Sequence, residues 1–254
     1  MAGAGLDTEA RARAWHHGLQ AAICDVVEPW AHGTVLRATQ LPDYWDFNVV
    51  RVEGDPPIEP GELVAFADEA LGACAHRRID FDDAEAGGRY REAFSALGWR
   101  ALRLLYMRHE ADPGPAPASG LEVEEVAYDD VLDLRIAWHA EDFPDQGPTG
   151  YHEQARSVAL AHGARVFTAV SGGERVGFAQ LEYAGDGAEI TQVYVHPDHR
   201  GSGLGTAITR ASIDAAGPVA DLWISADDED RPKELYRRLG FRPAWLSVEL
   251  TLMP

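Results

Sequence analysis

Residues 193–206 read VYVHPDHRGSGLGT: a β-branched apolar run, a short polar turn, then glycine at 201, 203 and 205. The run alternates like a strand, and GTAITRASIDAA behind it has helical spacing through Ile208, Ala211 and Ile213. The glycines therefore stand where a strand turns into a helix. A structural turn needs one such residue, not three in alternation. Bare backbone at a helix N-terminus offers free N–H donors and the positive end of the helix dipole, a combination that favours an anion such as a diphosphate. A P-loop is excluded, because it needs Gly-Lys-Ser/Thr and Lys233 is the only lysine in the chain. A dinucleotide fingerprint fits poorly, because Thr206 sits where its third glycine belongs and the preceding strand ends an antiparallel run. What remains is an anion cradle from the amides of residues 201–206, with Arg200 able to add a charge-assisted contact.

The rest of the chain divides at EADPGPAPASG, residues 110–120, where Pro and Gly crowd without apolar periodicity. This gives a domain at 1–112, a linker at 113–118 and a domain at 119–254. The second half reads β-α-α-β-β-β-α-β-α-β, from LEVEEVAY to AWLSVELTL. The first half is a shorter series: RARAWHHGLQAAICDVVEPW as a helix, then strand, strand, helix, strand, helix, strand. FSALGWR (94–100) lies over YRRLGFR (236–242), each followed by a strand. Gly54 to Gly98 spans 44 positions and Gly201 to Gly240 spans 39, so the intervening α-β-α units have comparable length and point to duplication. The fold class is α/β (α+β), two domains each with a mixed, mostly antiparallel sheet flanked by helices.

Composition narrows the function. In 254 residues, 22 basic against 42 acidic side chains leave a formal charge of −20, which argues against nonspecific binding to nucleic acid or an anionic membrane; it reads as a solvated acidic surface, with a bias toward cationic small molecules as the alternative. The N-terminal MAGAGLDTEARARAW has no apolar signal region and no segment reads as a bilayer span, so a cytoplasmic protein is expected. Cys24 and Cys74, the only cysteines, read as reduced structural residues, and no metal site is expected.

RGSGLG at 200–205 resembles the R/Q-x-x-G-x-G/A motif of the GNAT superfamily of N-acetyltransferases, and VYVHPDHRG before it and LYRRLGF after it are similar to that family's signatures. The resemblance covers nearly all of 119–254. It implies an acetyl-CoA site, with the pyrophosphate on Arg200, Gly201, Ser202, Gly203, Leu204, Gly205 and Thr206. It further implies that the pantetheine arm pairs with backbone at Val193 and Val195, in a slot where the fourth and fifth strands splay apart. Tyr236, four residues before Gly240, matches the family's general acid. The first half resembles a reduced member without its first strand, and there GDPPIEPGE replaces the cradle: Pro56, Pro57 and Pro60 lack amide donors. Glu229 stands where the family often has an Asn on the cofactor, so that contact is expected to be lost or rearranged.

Acetyl transfer to an amine needs a neutral amine, a stabilised oxyanion and a proton for the leaving thiolate. With reference pKa values of about 8.5 for a thiol and about 10 for Tyr, protonation by Tyr236 is uphill by only ~2 kcal/mol. For the base, Glu189 acting through water stands beside His196, His199 and bulk solvent. Trp138, Asp142, Phe143, Asp145 and Tyr151 are candidates for an aromatic and acidic acceptor pocket. The expectation is an acetyl-CoA-dependent N-acetyltransferase acting on a small amine, monomeric or homodimeric, with a degenerate first half. The alternative is an acyl-CoA-binding sensor without turnover.

Overall fold

The structure is a computed structural model and describes residues 7–111, 121–144 and 150–254. The first half runs α1 (Thr8–Ile23), β1 (Val26–Trp30), β2 (Gly33–Arg37), β3 (Asn48–Val52), α2 (Pro60–Ala70), β4 (Arg77–Phe81), α3 (Ala84–Ala96) and β5 (Arg100–His109). The second runs β6 (Glu122–Val126), α4 (Leu132–Asp142), α5 (Tyr151–Ala161), β7 (Arg165–Ser171), β8 (Glu174–Ala184) and β9 (Gly187–Val195). It ends with α6 (Leu204–Ala216), β10 (Leu222–Asp227), α7 (Pro232–Arg238) and β11 (Phe241–Leu252). The linker expected at 113–118 lies outside the described residues.

One expectation fails in the first half. VVEPW is not the end of a helix but strand β1, paired antiparallel with β2 from Val26↔Arg37 to Trp30↔Gly33. Val26 and Val27 favour extended backbone, and Pro29 lacks the N–H that a helix interior needs; at the edge of a sheet that donor is dispensable. With this strand included, β1-β2-β3-α2-β4-α3-β5 matches β7-β8-β9-α6-β10-α7-β11 element for element. The third and fourth strands are parallel in both series, Val50↔Ile79 in one and Ile190↔Ile224 in the other.

Two compact units result. The first takes the chain up to Tyr106 together with Ala226–Arg231 and Pro243–Pro254; the second takes Met107–Ser225 and Pro232–Arg242. In the first, the strand order is β1-β2-β3-β4-β11. β11 pairs antiparallel with β4 through Val248↔Phe81, Glu249↔Asp80 and Leu250↔Ile79. Val248 and Leu250 are fully buried in a core with Val50, Leu63, Ile79, Phe81, Phe94 and Trp99. The last strand of the sequence thus completes the first unit's core, and the loss of its apolar area would strip two fully buried side chains from it. In the second unit the order is β10-β9-β8-β7-β6, with α6 packed on β8 and β9. Tyr128, Val131, Ala159, Val166, Phe178 and Tyr194 form a core cluster there. Cys24 is buried and Cys74 partly so, both free; Cys24 donates from Sγ to the Phe47 carbonyl at 3.3 Å, and burial pushes its thiol up to about 12.

Candidate functional site

In the second unit, β9 and β10 pair only at Leu222↔Ala188, Trp223↔Glu189 and Ile224↔Ile190. Beyond Ile190, β9 continues to Val195 through Gln192, whose φ of 53° is the only positive value among described residues other than glycine. The pairing of β8 with β9 slips there, since Phe178↔Tyr194 is followed by Gln180↔Thr191. β9 therefore carries one more residue than its partner, a β-bulge. In the first unit β3 and β4 stay paired to Val52↔Phe81, and the Asp82 amide adds a bond to the Val52 carbonyl at 3.0 Å.

After Val195 the chain makes a single 3-10 turn at Pro197–His199, then enters α6 through Gly201 at φ 78° and Gly203 at φ 89°. Both glycines hold left-handed backbone that a Cβ would strain. Gly203 caps α6 without a side chain, which leaves the amides of the first turn to whatever lies in front of them. Gly205 is different. Its φ is not positive, and a Cβ there would meet Leu235 Cδ1 at 3.5 Å and Val195 Cγ2 at 3.7 Å, ordinary contact distances. Nothing in the chain itself requires glycine at 205. The open space it leaves belongs to a cavity of about 400 Å³.

That cavity is lined by Val193, Val195, Arg200, Gly201, Gly203, Leu204, Gly205 and Thr206 on one side and by Pro232, Leu235 and Tyr236 on the other. Tyr236 comes from the seven-residue α7 and is 5% exposed; burial alone holds its phenol well above the usual tyrosine range. Gly240 ends this segment at φ 94°, and a Cβ there would fall 2.0 Å from the Ala111 carbonyl oxygen, so the turn that sets Tyr236 admits no other residue. Arg200 donates from Nε to the Val195 carbonyl at 2.9 Å and from one terminal nitrogen to both carboxylate oxygens of Glu141 at 2.7 Å.

The remaining sequence-derived candidates lie elsewhere. Ser202 is not among the lining residues; its hydroxyl donates to the His199 carbonyl at 2.5 Å. Glu189 is 5% exposed on β9, opposite Trp223 and Glu182, and accepts from the Ser225 hydroxyl at 3.3 Å without lining the cavity. His199 stands at the cavity wall, and His196 lies 3.7 Å from Asp198. Glu229 belongs to the first unit, where both its oxygens accept from Arg91 at 2.8 Å. Of the acceptor-pocket residues, Phe143 and Tyr151 lie tilted against His139, with ring centres 5.1 Å away in both cases, and the Trp138 ring lies 6.5 Å from that of Tyr151. Asp142 ends α4, and Asp145 lies outside the described residues.

Two histidines of this cluster carried no motif. His139 and His152 lie 5.3 Å apart, and burial lowers the pKa of both, so they are neutral near pH 7. Their one signal was position, each adjoining a singled-out aromatic in WH and YH. Among the described residues there is no cluster of three His, Cys, Asp or Glu side chains that could hold a metal, and no helix is long and apolar enough to cross a membrane.

Comparison with known proteins gives a family match, two relatives and a structural neighbour. Residues 162–243 match the acetyltransferase (GNAT) domain family. A mycothiol acetyltransferase of Segniliparus rotundus is 39% identical over 82 residues, 31% of this chain and 30% of that protein. A streptothricin acetyltransferase of Streptomyces lavendulae is 31% identical over 105 residues, 39% of this chain and 54% of that protein. The chain thus spans about a third to a half of these relatives. Among solved structures, a tandem GNAT protein from the clavulanic acid biosynthesis pathway shares the fold at a TM-score of 0.52 and 18% identity, over 80% of this chain and 75% of that one.

Proposed function

We propose that this chain, a member of the GNAT superfamily of acetyltransferases, moves an acetyl group from acetyl-CoA to the amine of a small acceptor. The observation that carries this reading is the single cavity in which uncapped helix amides, two glycines with positive φ and the Tyr236 phenol meet. The pyrophosphate lies on residues 200–206, where N–H donors and the helix dipole both favour it. The pantetheine arm runs along Val193 and Val195, where β9 has left β10 and its backbone is free to pair with a ligand.

The amine nitrogen attacks the thioester carbonyl, the carbon–sulfur bond breaks, the amine loses a proton and the thiolate gains one. Tyr236 supplies the proton to sulfur. Burial raises the pKa of the phenol, and a dry wall disfavours a thiolate as well, so the two shifts act in opposite directions about the ~2 kcal/mol of the reference values. Glu189 is the candidate base, and because it stands outside the cavity lining its part runs through water. Acceptor contacts come from the Trp138, Phe143 and Tyr151 region, with Asp142 favouring a cation. Small-molecule acceptors in the names of the mycothiol and streptothricin enzymes support this class.

Calorimetric titration with acetyl-CoA, followed by acetyl-CoA consumption against a panel of small amines, tests the reading. Binding at one site with turnover supports it. Binding without turnover on any amine would favour the acyl-CoA sensor, and no binding would overturn both.

A further inference from the structure

Arg135 is the most deeply buried cation of the second unit, 2% exposed in the middle of α4. A guanidinium is taken out of water only where directional contacts hold it. Here its Cζ lies over the ring of Tyr128, 3.8 Å from the centroid, and over that of Phe178 at 4.7 Å. One terminal nitrogen donates to Gln180 Oε1 at 2.8 Å, and the other makes a close hydrogen bond to Gln192 Oε1. Gln180 is itself buried and donates from Nε2 to Glu182, which keeps its oxygen turned toward the arginine. The three side chains come from α4, β8 and β9.

Gln192 is the residue at φ 53°, in the bulge at which β9 slips against β8 just past its last pair with β10. A side chain with a Cβ holds that backbone only when its surroundings compel it. Glycine would adopt the same φ freely. The compelling contact on this residue is the bond from Arg135. The next residues along β9, Val193 and Val195, form the cavity wall.

We infer that Arg135 is a positioning residue for this slot: through the Gln192 side chain it pins the bulge beyond which β9, still paired with β8, parts from β10 and presents Val193 and Val195 to the ligand. The inference rests on the acetyl-CoA reading only for the identity of that ligand; the brace itself is a statement about β9. A buried arginine of this kind would otherwise pass for core packing or for a direct acceptor contact, and the two roles separate experimentally. If the brace acts through the bulge, a glycine at 192 makes it unnecessary.

The test uses the full chain with Gln192→Leu, Arg135→Met, Gln192→Gly and the Arg135→Met/Gln192→Gly pair. Acetyl-CoA affinity is read by calorimetry, and backbone hydrogen exchange across 190–195 by mass spectrometry. Gln192→Leu and Arg135→Met should weaken binding roughly tenfold or more, the scale of a lost buried charge-assisted hydrogen bond, and speed exchange in that segment. Gln192→Gly alone and the double variant should hold both close to the parent values. Gln192→Leu keeps Arg135 and its aromatic packing, so it decides the question even where Arg135→Met does not fold. Parent-like binding and exchange in Gln192→Leu would overturn the inference, as would a double variant no better than Arg135→Met. If the parent chain binds no acetyl-CoA, the ligand reading fails, and the exchange pattern alone still decides for or against the brace.

Discussion

Arg200 is held by Glu141, which accepts from it with both carboxylate oxygens at 2.7 Å while Arg200 Nε stays on the Val195 carbonyl at 2.9 Å. The cradle's own cation is thus engaged by an acid from α4, the helix whose end carries the candidate acceptor residues. A diphosphate arriving at residues 200–206 meets a guanidinium already neutralised and a carboxylate of its own sign nearby. Both partners are somewhat under half exposed and reached by solvent, so the pair is worth about 0.2–1 kcal/mol. Glu141→Gln should tighten acetyl-CoA binding by roughly two- to fivefold, with the gain shrinking in high salt. Titration at two ionic strengths checks this; weaker binding in Glu141→Gln would show that the carboxylate aims Arg200 instead of competing for it.

Gly203 and Gly205 should respond in opposite senses to the same change. At φ 89°, Gly203→Ala strains the turn and should cost about 1 kcal/mol of stability. Gly205 is helical and a methyl there touches only Leu235 and Val195 at ordinary distance, so Gly205→Ala should stabilise the fold by up to ~0.5–1 kcal/mol. That methyl fills part of the cavity, so the same variant should lose acetyl-CoA affinity. A stabilised protein with weakened binding is the expected signature, read by thermal unfolding and calorimetry. Unchanged affinity would mean that the ligand does not approach the backbone at 205.

The glycine alternation was legible because its meaning is local, missing side chains where a strand turns into a helix, whereas Tyr236 rested on the family resemblance of LYRRLGF. VVEPW reads as part of the first helix because the strand that it pairs with, β2, is not visible in its own residues. Arg135, Gln192 and Glu141 left no trace, because their partners lie 45 to 59 residues away and no periodicity records such a pairing. The placement of β11 against β4 is hidden in the same way. Alternation in AWLSVELTL says which face is buried, not which strand lies alongside.

In the first unit Arg78 gathers three acids: Asp80 at 2.8 Å, and Asp46 and Glu249 at 2.6 Å each. Burial outweighs the arginine for Glu249, whose carboxyl is pushed up from 4.5 to about 8, and Asp80 is raised for the same reason. The sign follows from proton counts. Between about 4.5 and about 8 the folded chain keeps a proton on Glu249 that the unfolded chain has released, so stability falls as pH rises through that window. Glu249→Gln retains an oxygen for Arg78 and cannot ionise. Its melting temperature relative to the parent should rise by on the order of 5 °C between pH 5 and pH 8. A difference independent of pH would mean that Glu249 is ionised throughout, as a simple ion pair.

Tyr236 and Phe94 occupy equivalent places when YRRLGFR is set over FSALGWR, and their surroundings differ. Tyr236 faces the cavity, whereas Phe94 is fully buried, with Trp99 edge-on at 4.9 Å and Tyr90 at 6.1 Å. A hydroxyl added at Phe94 has a packed core to enter, so Phe94→Tyr should destabilise the first unit and leave turnover unchanged. Tyr236→Phe removes only the phenol oxygen. It should lower kcat by roughly 10²–10⁴, the range for a lost general acid, with acetyl-CoA affinity nearly unaltered. Because burial raises the phenol's pKa, the parent enzyme should show no loss of kcat from Tyr236 ionisation below about pH 10. Rates with acetyl-CoA and a working amine, measured across pH for both proteins, decide the point. If Tyr236→Phe kept most of its turnover, the residue would be a wall of the cavity, and the proton for sulfur would come from water or another side chain.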